Sequence, residues 1–280
     1  MTINLPPIHQ LLKKYEISPR KSLGQNFLTN PTYLEKIVDA ACVDENSVVL
    51  EIGPGLGNLT RFLVEKAGKV VAVELDGQLV QILQTELAGQ PNLTTIHGDI
   101  LKVSLEDLQL SQGYLVVANI PYYITSAIIR RLLEASVKPD RILLTVQREI
   151  ADRICAKPGE MSLLSLSVQV YGNPKRLFRI PAEAFYPAPK VDSAVLLVEL
   201  YPQPVIPSNL LNDFFILIKA GFSQKRKTLR NALTAGLQLS VIQVENILNS
   251  AGVDPQRRAE TLTLVEWSAI TQEYRKLQIT

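Results

Sequence analysis

Residues 47–57 read SVVLEIGPGLG, and the reading of this stretch decides the fold. Ser47–Ile52 is a β-branched, almost wholly apolar run, the pattern of a strand buried on both faces of a parallel sheet. Glycines at 53, 55 and 57 follow at once, and Leu56–Ala67 then carries an amphipathic helical pattern. A glycine-rich turn between strand and helix lets backbone come close to a bound nucleotide. Without a ligand, the same turn is only a tight connection.

The unit repeats along the chain. Further apolar runs lie at Lys69–Leu75, Leu93–His97, Tyr114–Asn119 and Arg141–Gln147, with helical patterns at Gln78–Leu87, Ser126–Ala135 and Arg148–Ala156. Alternating strand and helix predicts right-handed βαβ units and a doubly wound α/β sheet. Ser165–Tyr171 and Ser193–Leu200 read as two more strands that close the sheet as an antiparallel pair at one edge. Residues 201–208, YPQPVIPS, hold three prolines and read as a linker. Helical patterns follow at Asn209–Gly221, Arg226–Thr234, Val241–Ser250 and Leu264–Leu277. The expected organisation is a sheet domain over 1–200, a linker over 201–208 and a small all-helical domain over 209–280.

Glu74 ends the second strand, where a carboxylate can accept hydrogen bonds from both hydroxyls of a ribose. Position 58, where the third glycine of a dinucleotide fingerprint would fall, is Asn58, and the spacing is GxGxG with an acid two residues ahead. S-adenosylmethionine has no pyrophosphate, and its aminocarboxypropyl group can use such a loop. Asp99, after the third strand, can accept from an adenine amino group, cap the turn that follows, or do both.

The fourth strand ends in Asn119-Ile120-Pro121-Tyr122. An adenine amino nitrogen is a poor nucleophile because its lone pair is delocalised into the ring. Two acceptors aimed at its hydrogens, the Asn119 side-chain oxygen and the Ile120 carbonyl, favour a pyramidal nitrogen. Pro121 restricts Ile120 to an extended conformation and so directs that carbonyl. The Tyr122 ring offers a stacking face, a contact typically worth ~1–3 kcal/mol. Positioning and electrostatics then matter more than a strong base, and the chemistry needs no metal. Asn-x-Pro is also common in ordinary turns.

Composition agrees with a folded, non-membrane chain. Hydrophobic residues make up 46% and charged residues 20%, enough for a real core. No apolar stretch reaches the ~18 residues of a membrane span, and no signal-peptide pattern opens the chain. Cys42 and Cys155 are expected to be buried and reduced, in a cytoplasmic setting. The formal net charge is only +2, so the distribution of charge is the better guide. Lys225, Arg226 and Lys227 are consecutive and Arg230 follows, placed by the pattern at a helix start where they can contact phosphates. A solvated helix face is the plain alternative. Phe222 either packs under that helix or reaches RNA, and Arg257 and Arg258 suit either RNA or an internal ion pair. His97 reads as a structural histidine near the end of a buried strand.

The set EIGPGLGNLT (51–60), VELD (73–76), HGDIL (97–101) and NIPYYI (119–124) resembles the rRNA adenine N-dimethyltransferases. KSLGQNFL (21–28) and FYPAPKVDSAV (185–195) look like the family's first and late motifs, and the resemblance runs over about residues 8–275. It implies a Rossmann-like S-adenosylmethionine-dependent methyltransferase sheet with a small helical domain. Asn26 and Leu28 would touch the cofactor's methionine end, and Gly53 and Gly55 would lie beneath it. Glu74 would hold the ribose and Asp99 the adenine, Leu75 and Ile100 would also touch the cofactor, and Asn119 would sit between cofactor and base. Phe185 would form the second face of the base pocket. GFSQKRKTLRN (221–231) and RRAETLTLVEW (257–267) resemble the housekeeping branch. That branch implies two adjacent adenosines near the 3′ end of small-subunit rRNA as substrate, and the immature small ribosomal subunit as partner. Nothing demands more than a monomer. Tyr123 departs from the asparagine of many relatives and bears on pocket shape. Two other readings stay open: a nicotinamide-dependent oxidoreductase, and a non-catalytic RNA-binding or ribosome-assembly factor.

Overall fold

The structure is a computed structural model and describes residue 3 and residues 5–279. The elements in chain order are α1 (Ile8–Lys14), β1 (Phe27–Leu28), α2 (Pro31–Ala40), β2 (Val48–Ile52), α3 (Asn58–Val64), β3 (Lys69–Glu74), α4 (Gly77–Glu86), β4 (Leu93–His97), β5 (Leu115–Asn119), α5 (Thr125–Leu133) and β6 (Arg141–Gln147). They continue with α6 (Arg148–Ile154), α7 (Leu163–Gln169), β7 (Gly172–Ile180), β8 (Phe185–Tyr186), β9 (Ser193–Leu200), α8 (Leu211–Gly221), α9 (Leu229–Leu237), α10 (Val241–Ser250) and α11 (Leu264–Ile279).

Seven strands form one sheet in the order β4-β3-β2-β5-β6-β9-β7. The first five neighbours pair in parallel, and β9 runs antiparallel to β6 from Arg141↔Glu199 to Gln147↔Ser193. The apolar runs are the reason: Val49, Leu50, Val70, Val116, Val117, Ile142 and Leu144 are almost fully buried. Strand order reverses between β2 and β5, each of which begins a separate run of crossovers. The expected α/β class and the antiparallel β9 are both present.

The chain divides into two compact units. One takes the chain through Ala151 together with Lys175–Leu200, and the other takes Asp152–Pro174 together with the chain from Tyr201 onward. The break at Leu200 falls where the proline-rich stretch begins, but 152–174 groups with the helices rather than with the sheet domain. The strand expected at Ser165–Tyr171 is helix α7, capped by reciprocal hydrogen bonds between Ser162 and Ser165. The edge strand is β7 instead. It carries Pro174 and exposed cations, which only a strand at a sheet margin tolerates. In the helical unit, Gly221 lies against the buried Trp267 and Gly236 against Ala220, where an added Cβ would come within 2.6 Å of either neighbour. Cys42 is exposed and Cys155 half-buried, not the buried residues expected. Among the described residues no helix is long and apolar enough to cross a membrane.

Candidate active site

Ligands of open α/β sheets bind where strand order reverses, outside the carboxyl ends of the strands. Here that place lies between β2 and β5. Their ladder pairs Val49 with Leu115 and Leu50 with Val116 and ends there. Beyond it a cavity opens, lined by Glu51, Ile52 and the glycine loop on one side and by Asn119–Ile124 on the other. Asn26, Leu28, Gly53, Gly55, Glu74, Leu75, Asp99, Ile100, Asn119, Ile120, Pro121 and Tyr122 all line this one cavity.

Glu74 laces the loop end of the cavity together. Its carboxylate accepts from the Gly55 N–H at 3.0 Å and from the Asp76 N–H at 2.9 Å, each on a different oxygen. Each oxygen keeps a further lone pair for a ligand hydroxyl. Burial raises the Glu74 pKa, and the two N–H donors oppose that rise. Gly55 has φ +61°, and a Cβ there would meet the Phe27 ring at 2.8 Å. Gly53 has φ +67° and nothing within 4 Å of such a Cβ, so the backbone here faces open cavity. Asp99 caps its own turn through the Leu101 N–H at 3.0 Å, as one of its two readings required. Leu75 is exposed and Ile100 buried at the same rim.

Two residues in this cavity were not among the expected ligands. Among the described residues, Glu51 Oε2 and Asn58 Oδ1 are buried acceptors that receive no hydrogen bond of good geometry, although the buried Thr60 hydroxyl lies close enough to Glu51 to oppose the rise in its pKa. The Asn58 amide nitrogen is spent on the Leu28 carbonyl at 2.8 Å, which leaves its oxygen to the cavity. Glu51 is 1% exposed, and burial, helped by the charge of Glu74, pushes its pKa up to about 8. A carboxyl inside the otherwise apolar run VVLEI was the available signal.

Glu51 has a consequence for stability. Below about pH 4.5 the group is protonated folded and unfolded, and it contributes no pH dependence. Between about 4.5 and about 8 the unfolded chain has released the proton and the folded chain still holds it, so stability falls as pH rises. Glu51→Gln is expected to remove this loss. Its advantage over the parent in thermal denaturation should grow across that window, towards roughly 3–5 kcal/mol less the cost of the amide's own unpaired N–H. An advantage independent of pH would show that Glu51 is not held neutral.

The other wall is built on β5. Asn119 Nδ2 donates to the Asn26 carbonyl at 3.0 Å, so the side-chain amide is fixed by the segment before β1. That segment is held by β1, which pairs antiparallel with β8. It is also held by Gln25, whose amide donates to Asp76 at 3.2 Å. Pro121 has φ −60° and starts a short 3-10 turn, Tyr122–Ile124. The Tyr122 hydroxyl lies 2.6 Å from the Ser193 hydroxyl. Tyr123 is 61% exposed at the cavity rim and lies close to Gly24.

Some expected residues fall elsewhere. Phe185 is 4% exposed, pairs with Leu28 and packs in the core, and it does not line the cavity; its neighbour Tyr186 is exposed. His97 is exposed on the marginal strand β4, not within a buried strand, with Nε2 3.2 Å from the Leu75 carbonyl. Lys225, Arg226 and Lys227 are exposed in the turn between α8 and α9, ahead of the helix rather than in its first turn. Arg230 is half-buried and bound to Glu245 at 2.8 Å. Phe222 stacks on Trp267 with ring centroids 6.1 Å apart, so it packs inside the helical unit. Arg257 is tied to Glu266 and Thr261, the internal alternative.

Comparisons with known proteins place the chain in a family. The family described as "Ribosomal RNA adenine dimethylase" matches residues 17–270. A "Ribosomal RNA small subunit methyltransferase A" of Dehalococcoides mccartyi (strain CBDB1) is 47% identical over 95% of this chain and 91% of its own. One from Alkaliphilus metalliredigens (strain QYMF) is 43% identical over 94% of each. Among solved structures, a dimethyladenosine transferase from Plasmodium falciparum superposes with a TM-score of 0.74 at 26% identity, covering 89% of this chain and 98% of that one. The 23S rRNA methyltransferase ErmE gives 0.72 at 26% identity over 88% and 98%.

Proposed function

Because the chain belongs to the ribosomal RNA adenine dimethylase family, we propose that it dimethylates the exocyclic N6 of two adjacent adenosines in the 3′-terminal hairpin loop of small-subunit (16S) rRNA, acting as a cytoplasmic monomer on the immature small ribosomal subunit. One observation carries the reading. A single cavity at the reversal of strand order is lined both by the glycine loop with Glu74 and Asp99 and by Asn119–Tyr122.

S-adenosylmethionine bound there would supply a methyl group on a cationic sulfur that leaves as a neutral thioether. The residues suit that donor. Its ammonium end would find the buried acceptors Glu51 Oε2 and Asn58 Oδ1. Glu74 would hold the ribose and Asp99 the adenine, with Leu75 and Ile100 beside them, while Asn26, Leu28, Gly53 and Gly55 would surround the methionine end.

The chain's own part in the reaction is positioning. The Asn119 amide nitrogen is committed to the Asn26 carbonyl, so its oxygen is the group left to accept a target N–H. The Ile120 carbonyl would take the second hydrogen, and Tyr122 would stack on the base. These contacts favour a nitrogen that can use its lone pair, and they strengthen as that nitrogen becomes cationic. The surplus proton then leaves to water. Phe185 would reach the base's other face only by leaving its packed position, so that role rests on the family resemblance alone.

The helical unit would bind RNA through Lys225, Arg226 and Lys227, whose side chains are exposed. Arg230 would join them only by giving up Glu245. Lys225→Ala with Lys227→Ala is expected to weaken RNA binding and to reduce the slope of log affinity against log salt by about 1–2, up to one per lost phosphate contact. An unchanged slope would remove this turn from the interface. The decisive experiment maps N6-dimethyladenosine in small-subunit rRNA from cells with and without the gene. Loss of both adjacent modifications supports the reading, and their persistence ends it.

A further inference from the structure

We propose that Ser193 is a positioning residue for Tyr122, its hydroxyl fixing the ring on which the target base stacks. The inference rests on the reading of Tyr122 given above and deepens it. Stacking needs a π-face and not a phenol, since a phenylalanine ring stacks as well. The hydroxyl of Tyr122 therefore has another use. It lies 2.6 Å from Ser193 Oγ, and Ser193 is fully buried at the start of β9, opposite Gln147.

The post behind that hydroxyl is stiff. The Arg148 N–H donates to the Asp192 carbonyl at 3.0 Å. The Asp192 carboxylate accepts from the Ala182 N–H at 3.3 Å and pairs with Arg179 at 2.7 Å. Tyr122, by contrast, sits on a short 3-10 turn after a proline, and its side chain still has more than one staggered rotamer open to it unless a contact selects one. A hydrogen bond at the far tip of the ring is the most effective place to stop it swinging. The phenol pKa is raised by burial, so the group holds its proton and serves as a tether rather than as an acid near neutral pH.

The test uses full-length enzyme and small-subunit rRNA substrate with 2-aminopurine at the target adenosine. The fluorescence of that base reports its stacking in the site. Ser193→Ala is expected to lower kcat on normal substrate on the order of tenfold, with KM for RNA and S-adenosylhomocysteine affinity unchanged, and to alter the 2-aminopurine signal. Tyr122→Phe removes the other half of the pair. If the two hydroxyls act as one, the double variant should be no worse than Tyr122→Phe alone. Ser193→Cys, nearly the same size with a weak S–H donor, should fall between serine and alanine, and it serves if the alanine variant folds poorly. A lowered Tm with unchanged kcat and signal, or additive effects in the double variant, would overturn the proposal. If the parent enzyme gives no stacking signal at all, the reading of Tyr122 fails first and takes this proposal with it.

Discussion

Replacing Asn119 with alanine is expected to cut methyl transfer by ~10²–10³-fold in single-turnover assays, while cofactor affinity and RNA affinity stay near those of the parent. The asymmetry follows from what the side chain touches. Its amide nitrogen is bound to the Asn26 carbonyl, which leaves its oxygen as the free acceptor of a residue lining the cavity that would hold both reactants. Truncation removes an acceptor whose contact tightens as the target nitrogen gains charge, so the loss appears in kcat. Asn119→Asp sharpens the test. It keeps the size and one acceptor, but it sets a carboxylate oxygen against the Asn26 carbonyl where a donor stood. A similar loss is expected, because an acceptor aimed wrongly helps no more than a missing one. If the alanine variant turns over at a comparable rate, Asn119 has no part in the chemistry.

Glu74→Gln should weaken S-adenosylhomocysteine binding by roughly 10–100-fold in calorimetry, corresponding to ~1.4 kcal/mol per tenfold. The substitution is almost isosteric, so packing is not the cause. Glu74 accepts from two backbone N–H groups, Gly55 on one oxygen and Asp76 on the other. Glutamine has one acceptor oxygen and one NH₂, so one of those N–H groups must face a donor. The glycine loop or the turn before α4 would then shift, and on the proposed reading a ribose hydroxyl would lose its acceptor as well. An unfolding midpoint lowered with unchanged ligand affinity would show that Glu74 is a strut only.

How far these features could be read from the chain depends on how each residue is buried. The central strands were legible because a parallel strand covered on both faces must be apolar throughout, as Val48–Ile52 and Leu115–Asn119 nearly are. The cavity was legible because its residues sit at strand ends in recognisable spacings. The segment SLSVQVY misled because its alternation mimics a strand. The Ser162–Ser165 capping box starts a helix there, and a box closed by two serines is a weak sequence signal. The true strand, Gly172–Ile180, hides behind Pro174, Lys175 and Arg176, because a marginal strand obeys solvent on one side. Asn58 was read for the glycine it replaces and not for its own oxygen. The pairing of Arg230 with Glu245 joins residues on two different helices, and no local pattern announces it.

The reversal of strand order between β2 and β5 has an evolutionary corollary. The glycine loop and the segment after β5 hang from neighbouring strands, which in any sheet lie ~4.8 Å apart. Each loop is anchored by its own ladder, β2 to β3 and β5 to β6. Natural selection can therefore exchange the peptide after β5 and leave the glycine-loop half unaltered. Such a scaffold diversifies by swapping one segment, with the reach between the two reactants conserved by the backbone itself.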